Sequence, residues 1–181
     1  MANEDLLKKL SELKRWAIND FPRLAARKTE NYVKNNFRLQ KYQDGGGTPW
    51  VARQFDERKG GAVLIGKQSG LLRDSIRGYS SGAIITVSSD RIYAKIHNEG
   101  GTITQAVTQK QSGFFWAKYY EATERKDIAT AQRWKRMALS KSLNITIPKR
   151  QFMPIEGKND IPKELQDELR ISVENKLKDL F

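Results

Sequence analysis

The sequence predicts an α+β protein. A small, mostly antiparallel sheet is packed by a long N-terminal helical arm and a C-terminal helix, with a helical insertion between strands. Three observations lead there. Apolar residues recur at helical spacing near both ends, as Leu6, Leu10, Leu13 and Ala17 and as Leu165, Leu169, Val173, Leu177 and Leu180. Runs of strand formers occupy the middle, at residues 84–87 and 143–147, the second alternating with period two. Between the strand signals at 102–104 and 143–147 lies a long stretch with helical rather than alternating character.

In chain order, the first helix carries Lys8, Lys9, Glu12, Lys14 and Arg15 around the leucine stripe. Asn19-Asp20-Phe21-Pro22 interrupts it. Asp20 suits an N-cap and Pro22 a first turn, so the arm is either two helices or one helix kinked at the proline. The second part runs to about Lys41 and buries Ala25, Tyr32 or Val33, and Phe37. Asp44-Gly45-Gly46-Gly47-Thr48-Pro49 ends it. Trp50 and Phe55 fall in a loop or single turn, and residues 62–65 form a short strand or buried turn. Residues 72–89 suit a hairpin turning at Ser80-Ser81-Gly82. Ile92, Tyr93 and Ile96 have helical spacing, and Gly100 is placed for a left-handed C-cap. Asp160 and Pro162 open the last helix. The whole chain, 1–181, reads as a single domain, with an arm at 1–42, an insertion at 105–142 and a terminal helix at 160–181.

Composition narrows the function. Hydrophobic residues make up 38% and charged residues 30%, enough apolar side chain for a modest core beneath solvated helical faces. The net charge is +12. That suits basic helix faces, an acidic protein partner or nucleic acid, and composition alone does not choose. With no cysteine, disulfides and thiolate metal sites are excluded. The first residues are charged every few positions, unlike a signal peptide, and no apolar run reaches membrane-spanning length.

Catalytic signatures fail on inspection. Residues 61–67 have P-loop spacing, but Gln68 stands where Ser or Thr would ligate magnesium, and the intervening residues are apolar. Residues 66–70 miss the nucleophile-elbow spacing by one serine position. His97 is the single histidine, so a zinc site lacks nitrogen and sulfur partners. A triad through His97 beside Glu99 is formally possible, but a lone histidine in a short helix is more often a structural hydrogen-bonder. The expectation is a protein that is not an enzyme and uses no cofactor or metal.

The insertion holds Phe114, Phe115, Trp116, Tyr119, Tyr120 and Trp134 with Arg125, Lys126, Arg133, Lys135, Arg136 and Lys141. Five aromatics within seven positions cannot share one helix face, so some must meet something outside the local core. A subunit interface is favoured, through Phe114, Phe115, Trp116, Tyr119, Tyr120, Arg133, Lys135 and Arg136, over stacking on single-stranded nucleic acid. No turn chemistry is evident that would close the insertion compactly.

An ordered set of motifs remains: Gly70-x-Leu72-Arg73-x-Ser75-Ile76, then Tyr93-Ala94-x-Ile96-His97-x-x-Gly100-Gly101, then Ile147-Pro148-x-Arg150-x-Phe152. Phe37 followed by Gly47-x-Pro49-Trp50 precedes them. This order resembles the bacteriophage virion morphogenesis family, also called the tail-completion or neck family. The departures are Asn98-Glu99 before the glycines and Lys149 in the last box. The resemblance implies a structural phage or prophage protein that completes tails and joins them to heads. It implies a homo-oligomeric ring, portal, connector or tail-tube partners, proximity to DNA as incidental, no membrane, and a place at the head–tail junction after assembly in the host cytoplasm. The competing reading is a basic nucleic-acid-binding module of a mobile element.

Overall fold

The computed structural model describes residues 2–52, 62–65, 70–155 and 161–181. Phe55, Asp160, the P-loop-like ends at Gly61, Gly66 and Lys67, and the serine of the failed elbow lie outside them. The chain forms two compact units, one of residues 1–99 with 148–181 and one of residues 100–147.

The first unit begins with helix α1 (Ala2–Arg15), which runs through a π-helical turn (Trp16–Asp20) into α2 (Phe21–Leu39). The arm is thus one helical path with a local defect, and Asp20 makes no side-chain cap. Pro22 has no N–H to give to the carbonyl one turn back, and the Phe21 N–H reaches the Trp16 carbonyl instead, widening the turn. Helix α2 stops at Gln40, which takes a left-handed conformation (φ 56°) and returns its N–H to the Asn36 carbonyl.

Residues 62–65 form a turn rather than a strand, with Leu64 at φ 62°. Residues expected to begin the hairpin instead make one helical turn, α3 (Leu71–Asp74), before strands β1 (Ile76–Ser81) and β2 (Ile84–Ser89). The two strands pair antiparallel, Ile76 with Ser89 through Ser81 with Ile84. Gly82, at φ 56°, makes the turn that Ser80-Ser81-Gly82 announces. Short helix α4 (Ala94–Glu99) follows, and Gly100 at φ 78° ends it. Helix α7 (Lys163–Leu180) closes the unit, with Pro162 at its N-cap. Of its expected stripe, Leu165 and Leu180 are buried while Leu177 is exposed, because only part of α7 lies on the core.

The core of this unit joins Tyr32, Val33 and Phe37 of α2 to Leu72, Ile76, Ala94, Phe152 and Leu165. Phe37 is its hub, with ring centroids 4.9 Å from Phe152 and 5.5 Å from Trp50. Strand β1 lies so close to α2 that a Cβ on Gly78 would come within 2.3 Å of the Ala26 carbonyl oxygen.

The second unit is an antiparallel ribbon, β3 (Gly101–Ala106) with β4 (Ser142–Ile147), carrying a helical hairpin, α5 (Gln109–Glu124) and α6 (Ile128–Leu139), between its strands. This is the α+β class with the helical insertion expected. The sheet, however, is two separate two-stranded ribbons among the described residues. Turn chemistry does close the insertion. Thr108 and Gln111 form a capping box on α5, Lys126 turns in the left-handed region (φ 58°), and the Asp127 carboxylate accepts from the Thr130 N–H.

Candidate assembly surface

Side chains and backbone from α2, α4 and the loop at Trp50 meet on one backbone segment, residues 150–153. Two buried side-chain amides hold it. The Asn98 carbonyl accepts from the Phe152 N–H (2.8 Å) and the Met153 N–H (3.0 Å), and its NH₂ donates to the Met153 carbonyl (3.2 Å). From α2, the Asn36 NH₂ donates to the Phe152 carbonyl (3.0 Å), while its own carbonyl accepts from the Gln43 backbone and side chain. Both backbone polar groups of Phe152 are thus satisfied by side-chain amides, which permits Phe152 to be fully buried.

Arg150 continues the junction. Its N–H donates to the His97 carbonyl (2.9 Å) and its guanidinium to the Val51 carbonyl (2.9 Å). Trp50 Nε1 donates to the Gln151 carbonyl (2.8 Å). Leu72, Ile76 and Ala94 sit in the core, and the Ser75 hydroxyl donates to the Leu72 carbonyl. Gly70 is buried at the start of α3. Arg73 instead pairs with Asp74 near the surface, Tyr93 is exposed, Ile96 and Pro148 are half-buried, and Gly100 and Gly101 belong to the other unit. Most of the motif set therefore builds a packing junction.

His97 is half-buried beside the Tyr93 ring, and its Nδ1 is buried with no hydrogen-bond partner among the described residues. Burial, with the Arg150 charge added, holds its pKa below 6.5. The described residues contain no group of three His, Asp or Glu placed to hold a metal.

A cleft of about 760 Å³ opens on the same unit between Tyr42, the three glycines at 45–47, Trp50, Lys149 and Gln151. Burial, and then the Asp44 charge, push the Tyr42 hydroxyl up to about 12. The Gly45 and Gly46 N–H groups donate to the Glu164 carboxylate at the start of α7, each at 3.3 Å. Burial alone would raise the Glu164 pKa, but the backbone N–H groups outweigh it and the pKa is lowered. The loop's anion-accepting groups are thus turned toward the protein's own helix.

All eight candidate interface residues lie in the second unit, and the helical hairpin divides them. Phe115 is buried and stacks on Trp134 of α6 (5.9 Å). Phe114 meets Trp134 edge-on but stays 51% exposed. Trp116, Tyr119 and Tyr120 form a separate cluster on α5, with Trp116 and Tyr120 centroids 6.3 Å apart and Tyr120 60% exposed. Arg133 and Arg136 are exposed on α6, and Lys135 is half-buried. The hairpin thus uses Phe115 and Trp134 to hold itself together and leaves Phe114, Tyr120, Arg133 and Arg136 exposed, with Trp116, Tyr119 and Lys135 half-buried.

Sequence reasoning missed Asn36 and Asn98. The signal for Asn98 lay in the box itself, where it appeared as a departure. Compared with known proteins, residues 3–174 match the phage virion morphogenesis family. No curated protein and no solved structure matches the chain. No helix among the described residues is long and apolar enough to cross a membrane.

Proposed function

Since the chain belongs to the phage virion morphogenesis family and so takes a structural role in phage assembly, we propose that it completes the tail and joins it to the head. In this reading it acts by protein–protein contact, as a homo-oligomeric ring at the neck, against portal, connector or tail-tube proteins, and performs no catalysis. The observation that carries the reading is the second unit. Its hairpin closes on Phe115 and Trp134, yet leaves Phe114, Tyr120, Arg133 and Arg136 in solvent, the residue types enriched at interface cores.

Reversing the outward charge with Arg133→Glu, Lys135→Glu and Arg136→Glu tests it. Circular dichroism should be unchanged, while a phage lacking the wild-type protein should make heads and tails that fail to join. Normal particle yield in that complementation assay overturns the role of this surface.

One observation favours a second reading, a basic nucleic-acid-binding module. Residues 100–147 hold eight Lys and Arg against three acidic residues, beside exposed aromatics. That reading expects DNA affinity that falls steeply with salt, with a shallower slope in the triple variant.

A further inference from the structure

The β3–β4 ribbon has an unusual surface for a chain so rich in charge. Neither strand contains a Lys, Arg, Asp or Glu, although these make up 30% of the protein. Exposed edge strands are ordinarily guarded by such charges, by proline or by bulges, because an open edge recruits further strands. Here every β3 residue is exposed, and the register runs unbroken from Gly101 opposite Ile147 to Ala106 opposite Ser142. In an antiparallel pair, alternate residues direct their N–H and C=O groups away from the partner. Both strands thus offer an outer row of donors and acceptors, and among the described residues no third strand meets either row.

The side chains sort with equal regularity. Residues directly opposite one another share a face, so Ile103, Leu143, Ile145 and Ile147 lie on one side, with Gly101 and Gln105. Thr102, Thr104, Asn144 and Thr146 lie on the other, where the Thr104 hydroxyl donates to Asn144 (2.7 Å). Ile103 remains 40% exposed on the apolar side. A two-stranded ribbon is marginal by itself, and added strands with a continuous apolar face stabilise it.

We propose that the ribbon is a strand-addition site for a second copy of this chain, β4 of one copy joining the free edge of β3 of the next. The occupant follows from the ribbon. The two sequences that would meet between copies already pair antiparallel within one, setting Ile103 opposite Ile145 and Thr102 opposite Thr146. A neutral edge favours a neutral strand, and the chain carries both halves of the match. Because the joined edges differ, the contact is heterologous and repeats from copy to copy, which closes a ring when the rotation permits. The inference rests on the homo-oligomeric reading above and names the surface that would build it.

The absence of cysteine makes a clean test possible. Four full-length single variants, Thr102→Cys, Thr104→Cys, Asn144→Cys and Thr146→Cys, place thiols on the polar face of the ribbon, where cross-strand neighbours come close enough to bridge. Each β3 variant is mixed with each β4 variant under mild oxidation, and the products are sized under denaturing conditions. Light scattering of the wild-type protein reports oligomer mass separately. The expected result is oligomers together with mixed β3–β4 disulfides several-fold above same-variant dimers in at least one pair. Oligomers without that excess overturn strand addition and leave the homo-oligomeric reading standing. Predominant same-strand dimers overturn the head-to-tail join in favour of a symmetric one. A monomer with no cross-linking at any concentration reached overturns both.

Discussion

At the scale of single residues, the chain depends on side chains whose importance their type conceals. Phe152 reads at once as a core residue, and truncation to alanine should cost about 3–5 kcal/mol. Asn98 is the less visible partner. It satisfies the Phe152 N–H, the Met153 N–H and the Met153 carbonyl from within the core. Asn98→Ala would leave the Phe152 and Met153 N–H groups without that acceptor, at about 1–3 kcal/mol for each one buried. Denaturant midpoints should therefore fall for Asn98→Ala by an amount comparable to Phe152→Ala. A surface-like change would remove Asn98 from the core account. Nothing in the sequence marks Asn36 as buried, and Asn98 shows only as a departure within its box, because burial of these amides depends on backbone arriving from more than fifty residues away. His97 adds a pH effect. Its folded pKa lies below the unfolded 6.5, so the unfolded chain binds more protons in between, and stability falls as pH drops from 6.5 toward the folded value. This window opens at a higher pH than that of Glu12, Glu30, Glu121 and Glu164, whose lowered folded pKa values withdraw stability only as pH falls below about 4.5. His97→Gln should remove the loss of melting temperature that begins as pH drops below 6.5 and leave the loss that the carboxylates cause.

At the scale of elements, local pattern and distant packing divide the account. The amphipathic arm, the β1–β2 turn at Gly82 and the helical insertion follow from periodicity and turn residues close in sequence. The closing of the insertion was also written locally, since Thr108-x-x-Gln111 has the reach of a capping box and Asp127 precedes α6. By contrast, α3 replaces an expected strand because Leu72 must reach the core cluster while Ser75 turns back to the Leu72 carbonyl. The fit of β1 on α2 is another tertiary effect. The Gly78 N–H donates to Glu30 (2.8 Å), and Lys34, then Gly78, hold the Glu30 carboxyl below its usual range. Alanine at Gly78 would drive a Cβ into the Ala26 carbonyl and force the strand off the helix. Gly78→Ala should destabilise by about 1–3 kcal/mol by chemical denaturation, whereas Gly82→Asn, at a left-handed turn with open space, should change little. Equal effects at the two glycines would contradict the close approach.

At the scale of the molecule, the two units differ in what holds them. The first gathers Tyr32, Val33, Phe37, Leu72, Ile76 and Phe152 in a shared core and fastens it with buried amides. In the second, burial is confined to Phe115, Ala122, Ala131 and Ala138, and the ribbon is open at both edges among the described residues. Small units with thin cores open at lower free energy than the domain that carries them. Hydrogen exchange on the free protein should therefore find amides of α5, α6 and the ribbon exchanging through a sub-global opening, well before those of Val33, Phe37 and Ile76 in the first unit. Destabilising the second unit with Phe115→Ala should speed exchange there and leave the Phe37 amide unaffected. If the second unit is the surface through which the protein assembles, oligomerisation should slow its exchange selectively, since ordering and contact then fall on the same residues. Protection that is uniform across both units, or assembly that protects the first unit alone, would show that the folding units and the assembly surface are divided differently.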